Sequence, residues 1–368
     1  MDRACWITCY DLPEDPRASS ATPCTRRARR TPRGASGREQ AQKRGGAVWR
    51  RRIAVAALAV LAWPGDGPAA QTYPERPVRL IVASGVGGGL DFVARLVGPK
   101  LGDGLGQIVV VDNRAGASGS IAAEQAARAT PDGHTLLLLS ASLVVYGAVN
   151  RTSYDLFRDF APVSLVSAAP YLLTVTPGLP VQSVKELVAY ARANPDKLNF
   201  ASTGTATLAH LATEWFGDLA GVRLVHVPYK GVGAALPDLF SGRVQMSFLS
   251  FASVYGHVRA GRLKALAVAS ASRLELAPDI PTVIESGVPG YAVTQWHGLL
   301  VPRGTPRDRI ERLHRETVAA VRHPEVASRL AADGTEGVAS APHEFAAHLK
   351  SEHERWSRIA RRLGLQAQ

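Results

Sequence analysis

The chain has 368 residues, of which 46% are hydrophobic and 20% charged. That is globular rather than disordered, and long enough for two domains with separate cores. The net charge of +12 points towards nucleic acid at first sight, but residues 1–52 hold 13 Lys and Arg against 5 Asp and Glu, while the chain from Thr72 onward holds 30 against 25; the body carries no basic stripe, which excludes a nucleic-acid partner.

The N-terminus reads as an address. Arg50, Arg51 and Arg52 precede eleven apolar residues, 53–63, then Pro64, Gly65, Gly67, Pro68 and the small-residue end Ala69-Ala70-Gln71. This is the order of a secretory signal peptide over residues 48–70, and eleven apolar residues are too few to span a bilayer, which takes about 20. Cleavage after Ala69 or Ala70 fits the pattern. Residues 1–47 lack apolar periodicity and read as a disordered leader ahead of the true translation start. Cys5, Cys9 and Cys24 all lie in that leader, with no fourth ligand or nearby histidine for zinc. The body has no cysteine, which suits an oxidising compartment.

From Val78 short apolar runs alternate with helical periodicity. Strands are expected at 78–82, 108–111, 135–139, 171–175, 198–201, 224–227, 246–248 and 263–268. Helices are expected between them at 90–101, 121–129, 184–193 and 208–219. Ser183 and Glu186 form a capping box for the third of these. Two charged amphipathic helices, 309–322 and 342–363, close the chain. Continuous apolar strands separated by helices predict an α/β fold with parallel sheets covered on both faces. Two extended stretches, 171–180 and 292–302, are the candidate crossovers between a first lobe (71–172 with 294–368) and a second lobe (173–293). Two crossovers make a hinged clamp with its ligand in the cleft.

Two segments carry the chemistry. Ser84, Gly85, Val86, Gly87 and Gly88 follow a strand and open a helix, which presents bare amides at the positive helix end to an anion. The same segment approaches the dinucleotide fingerprint, with Asp112 closing the next strand; the third glycine position is Leu90, however, which argues for a small anion instead. Ser202, Thr203, Gly204 and Thr205 again lie between strand and helix, with more hydroxyls than capping requires. His343-Glu-Phe-Ala-Ala-His348 is one residue too long for a zinc motif, because at i, i+5 the imidazoles diverge by roughly 140°. Gly116-Ala-Ser-Gly119 fails the nucleophile-elbow pattern. No catalytic residue, metal site or cofactor is expected.

Taken in order, the segments resemble the periplasmic receptors of tripartite tricarboxylate transporters, the Bug family. The resemblance rests on Tyr73-Pro-Glu-Arg-Pro-Val-Arg-Leu-Ile-Val82, the glycine loop, Val110-Val-Asp-Asn-Arg-Ala-Gly-Ala117 and Pro131-Asp-Gly-His-Thr-Leu136. Asp159-Phe-Ala-Pro-Val163, His226-Val-Pro-Tyr-Lys-Gly231, Ile280-Pro-Thr-Val283 and Gly287-Val-Pro-Gly-Tyr291 complete it. It implies a type II periplasmic-binding fold and a non-enzymatic receptor for a small carboxylate. The ligand residues it implies are Ser84–Gly88 with Asp91, then Ser140, Ser202–Thr205, His210, Tyr229, Lys230 and Phe248. It further implies a monomer that meets a membrane transporter or a sensor. This chain departs from the family pattern at Ala83-Ser84, at Leu90 and at Phe248-Leu249-Ser250, where an acidic residue is missing. A plain mono- or dicarboxylate or an aromatic acid is therefore expected over an amino acid.

Overall fold

The computed structural model describes residues 73–365, so the leader, the signal segment and the three cysteines lie outside the described residues. In the first lobe, strand β1 (Val78–Val82) runs parallel to β2 (Val109–Asn113) on one side and β3 (Thr135–Ser140) on the other. Helix α1 (Gly89–Leu105) connects β1 to β2, and α2 (Ser120–Ala127) connects β2 to β3. Leu90, Val93, Ala94, Val97 and Leu101 of α1 are buried at helical spacing, so one apolar stripe covers the sheet. Gly106 ends α1 in the left-handed conformation, and its N–H closes onto the Gly102 carbonyl. Helix α3 (Ala141–Val149) leaves directly from the end of β3.

The second lobe repeats the scheme. After α4 (Val184–Ala193), strand β5 (Asn199–Ser202) is parallel to β6 (Val225–Pro228) and β7 (Met246–Ser250). Helices α5 (Leu208–Ala220), α6 (Val232–Ser241) and α7 (Phe251–Arg259) alternate with them, and β8 (Lys264–Val268) follows.

Two strands join the lobes. β4 (Phe160–Val175) pairs antiparallel with β9 (Thr294–Pro302) from Phe160 to Pro170, then with β7 and β8 from Tyr171 or Leu172 onward. β9 in turn lies antiparallel to β3. The strand order is thus β2-β1-β3-β9-β4 in one lobe and β6-β5-β7-β4-β8 in the other. Each lobe has three parallel strands with antiparallel strands beside them. Of the two stretches expected as crossovers, residues 171–175 and 294–302 are sheet strands paired with neighbours. Pro162, Ser164, Ser167 and Pro170 hide the first half of β4 from an apolar-run reading. Register shifts at Pro162/Ser164 and Leu165/Ser167 accommodate the lost pairing.

The C-terminal segment, α8 (Arg307–Arg322), α9 (Pro324–Ala332) and α10 (Pro342–Arg362), returns to the first lobe. A two-residue strand, β10 (Glu336–Gly337), pairs with β4. Helix α10 lies on α3 and buries Phe345 against β9, where a Cβ on Gly298 would stand 2.0 Å from the ring. Its far end reaches the second lobe. The Arg355 guanidinium stacks 5.0 Å from the Trp215 ring centroid, and Arg362 pairs with Asp218 at 2.8 Å, both partners being on α5.

Candidate ligand-binding site

In open α/β sheets, ligands bind beyond the carboxyl ends of the strands, where the strand order reverses. β1, flanked by β2 and β3, defines that point in the first lobe; β5, flanked by β6 and β7, defines it in the second. Four segments leave those strand ends: residues 84–88 after β1, 140–142 after β3, 202–207 after β5 and 250–253 after β7. Each runs into a helix N-terminus, where four backbone N–H groups have no intrahelical acceptor. The two lobes meet here. The Leu208 N–H at the start of α5 donates to the Ser142 hydroxyl on α3, at 3.2 Å.

The first-lobe loop is held by a buried carboxylate. Asp91 is 3% exposed and sits in the first turn of α1. It accepts from the Gly87 N–H at 2.9 Å, from Asn113 Nδ2 at 2.9 Å and from Arg95 Nε at 3.0 Å. Asn113 also donates to the Ser84 carbonyl at 3.3 Å, and Arg95 to Asn113 Oδ1 at 3.1 Å. Burial alone would raise the Asp91 carboxyl; the bonds from Arg95, Gly87 and Asn113, with the Arg95 charge, outweigh it and hold the group below its ordinary value. Gly87 adopts φ +83°, which turns its amide onto Asp91, and a Cβ there or on Gly89 would meet nothing within 4 Å. Gly85, Val86 and Gly88 are exposed, and their amides donate to no protein acceptor among the described residues. Asp91 is therefore the strut of the loop, while the loop's amides are the groups turned outward. Behind it, Gly119 lies so close to Ala83 that a Cβ would stand 2.8 Å away.

The second-lobe turn is braced by hydroxyls and imidazoles. The Ser202 hydroxyl donates to the Gly204 carbonyl at 2.9 Å, so its oxygen accepts from Gly204 N–H at 3.1 Å and from His226 Nε2 at 2.6 Å. Thr207 donates to the same carbonyl at 2.7 Å and accepts from the His210 N–H at 3.4 Å. Ala206 takes the strained φ of +56°, and its N–H donates to His210 Nδ1 at 3.2 Å. That bond requires a neutral His210 with its proton on Nε2, 3.7 Å from Glu214 Oε1. The His210 and His226 rings stack at 3.8 Å, with Phe200 beyond at 4.9 Å from His226. Burial pushes both imidazoles down to about 4, the neighbouring His226 adding to the effect on His210. Ser202 and His210 thus act within the turn, which leaves Thr203 and the exposed Thr205 as its outward hydroxyls.

The other expected residues divide. Ser140 stands at the N-cap position of α3, without a capping bond from its hydroxyl, opposite His297 of β9, and is 9% exposed. Lys230 is exposed beside Gly231, which opens α6. The Tyr229 hydroxyl is engaged by Asp238 at 2.7 Å. Phe248 has no exposed surface and packs against Phe216 and Tyr291 at 5.4 and 5.2 Å, beneath α5. Asn113, Arg95 and Ser142 were not singled out from the sequence. Asn113 reaches Asp91 across 22 residues, a contact made only on folding, whereas Arg95 is the i+4 partner of Asp91 on α1 and was within reach of helical spacing; Ser142 lies in an apolar run that reads as ordinary core. Ser250 and Ser253, 2.6 Å apart at the start of α7, also border the strand ends.

The dinucleotide alternative loses its ribose anchor. Asp112 is clasped by Arg79 Nε at 2.8 Å and Arg114 Nε at 2.9 Å. His348 packs edge-on to Trp296, with centroids 5.0 Å apart. A hollow of about 360 Å³ lined by Thr176, Pro177, Tyr190, Phe240 and Gln245 opens at the opposite, amino-terminal edge of β5 and β7, away from the strand ends that carry the amides.

Comparison with known proteins agrees with this architecture. Residues 93–365 match the tripartite tricarboxylate transporter family receptor. The protein BugT of Bordetella pertussis is 36% identical over 298 residues, covering 80% of this chain and 91% of BugT. The structure of Rpa4515 from R. palustris with adipate superposes with a TM-score of 0.75 at 34% identity, over 79% of this chain and 98% of that one. MatC from Rhodopseudomonas palustris with bound malate gives 0.73 at 32% identity, over 78% and 99%. The two-lobed chain described here belongs to the tripartite tricarboxylate transporter receptor family.

Proposed function

We propose that this protein captures a small dicarboxylate between its lobes and hands it to a tripartite tricarboxylate-type membrane transporter, without transforming it. The observation that carries this reading is that the strand-end segments of both lobes run into helix N-termini, and that the lobes touch there at Ser142 and Leu208. Helix N-termini and free amides favour a carboxylate without a countercharge from a side chain. Adipate and malate in the related structures are both dicarboxylates. In the first lobe, residues 71–172 and 294–368, the amides of Gly85, Val86 and Gly88 beside Ser84 hold one carboxylate. In the second, residues 173–293, Thr203, Gly204 and Thr205 hold the distal group. Asp91, Ser202 and His210 keep those segments in shape. Ser140 borders the site from β3, Lys230 from the rim, and Tyr229 and Phe248 support the second-lobe side. Residues 48–70 export the chain, in keeping with the periplasmic receptors of its family.

Thermal shift with adipate, malate, benzoate and glutamate tests the ligand class. A binder at 100 times its Kd stabilises the folded state by about 2.7 kcal/mol. Adipate or malate is expected to raise the melting temperature in a concentration-dependent way. Response to glutamate alone, with none to adipate or malate, would overturn the reading of a plain dicarboxylate, because the ligand would then need its amino group.

A further inference from the structure

We propose that Ser142 is the interlobe latch of this receptor, a positioning residue whose neutral hydroxyl holds the second-lobe helix α5 across the closed cleft while leaving that helix's positive end for the anionic ligand. The proposal rests on the cleft reading above for its ligand, but on the structure itself for the latch.

Ser142 is the second residue of α3, directly after the first-lobe strand end at Ser140. Its hydroxyl accepts from the Leu208 N–H at 3.2 Å, across 66 residues of chain. Leu208 begins α5, so its amide is one of the four that the helix cannot satisfy internally. The remaining local caps are already assigned: Thr207 takes the His210 amide and His210 Nδ1 takes the Ala206 amide. Leu208 is fully buried, so an unmet N–H there is costly, and only a group from the other lobe supplies the acceptor. The bond exists when the lobes are together and is lost when they part. It therefore adds to the closed state whatever the ligand.

The choice of a hydroxyl also bears on specificity. An aspartate at this position would bond the same amide more strongly, but would place a fixed negative charge at the end of α5 where a ligand carboxylate is to sit. A serine latches without competing for charge.

Residue-resolved hydrogen exchange and stopped-flow binding of adipate on the full chain test this. In S142A the Leu208 amide is expected to exchange faster, with neighbouring α5 core amides unchanged. The adipate dissociation rate is expected to rise about two- to tenfold while the association rate changes little. S142T, which keeps the hydroxyl, is expected to restore both readouts. S142D is expected to keep Leu208 protected yet bind adipate at least about tenfold more weakly. Equal Leu208 exchange in S142A and the unaltered protein overturns the latch, as does slower adipate release from S142A. Absence of adipate binding to every form overturns the ligand class proposed above, and the Leu208 exchange still decides the latch.

Discussion

The strand-end segments of the two lobes occupy the same topological place, each between a strand end and a helix N-terminus, yet they are braced by different chemistry. Residues 84–88 lean on a buried carboxylate, Asp91, tied to Arg95 and Asn113. Residues 202–207 lean on neutral imidazoles and hydroxyls, with Ser202 on His226 and Ala206 on His210. The strand order fixes where a ligand-binding turn belongs, but not how it is held. Each lobe solved that locally, and the two solutions fail under different conditions.

Removing what lies beneath the second turn should have the largest effect. Phe248→Ala empties part of the aromatic layer under α5 and is expected to destabilise the protein by about 3–5 kcal/mol in urea unfolding. A loss below about 1 kcal/mol would mean that Phe248 is not the core residue its burial implies.

On the first-lobe side, Asp91→Ala leaves the Gly87 amide and the Arg95 guanidinium without their shared acceptor. Adipate affinity by calorimetry is expected to fall by about 1–3 kcal/mol, or roughly five- to 150-fold. Ser202→Ala should cost less, about 0.5–1.5 kcal/mol of affinity, because Thr207 still grips the Gly204 carbonyl. Equal losses from the two variants would erase the distinction between the braces.

Acid separates the lobes most finely. His210 and His226 titrate near 4 in the folded chain and near 6.5 when unfolded, as does buried His297 at the crossing strands. Between those values the unfolded chain binds more protons, so stability rises with pH and is lost as pH falls from about 6.5 towards 4. Asp91 is depressed below the ordinary carboxylate value, so its contribution is present above about 3.9 and goes only at lower pH. Lowering the pH at constant ionic strength is thus expected to loosen the bonded Gly204 and Ala206 amides before the bonded Gly87 amide. Exchange measurements that find the first-lobe loop opening first would reverse the assignment of the two braces.

Much of this molecule was legible from local pattern. The apolar strands at 78–82 and 135–139, the helix from Leu90, the glycine loop and the hydroxyl-rich turn all announce themselves within a dozen residues. The Ser183 cap donated to by the Glu186 amide at 3.2 Å is equally local. Other parts were hidden for physical reasons. The first half of β4 carries Pro162 and Pro170, and it is a strand because β9 and β10 flank it, a fact of pairing across more than a hundred residues. Helix α3 is not among the helices expected from sequence, since Leu143, Val144 and Val145 show no polar face; all three are buried on a helix that packs on α10 and α5. Phe248 could be placed on a strand from sequence, but not on the side of the sheet that faces α5.

By itself the sequence determined the alternation of strands and helices, the two glycine- and hydroxyl-rich turns, and the resemblance to carboxylate receptors, because periodicity and turn chemistry act between near neighbours. Only the tertiary structure decided that Asp91 and Ser202 support the turns from within, that Tyr229 is engaged elsewhere, and that Ser142 reaches Leu208. Asp91 and Ser202 make their nearest bonds locally, but Asn113, His226 and Leu208 reach Asp91, Ser202 and Ser142 only once segments at least 22 residues apart are packed together.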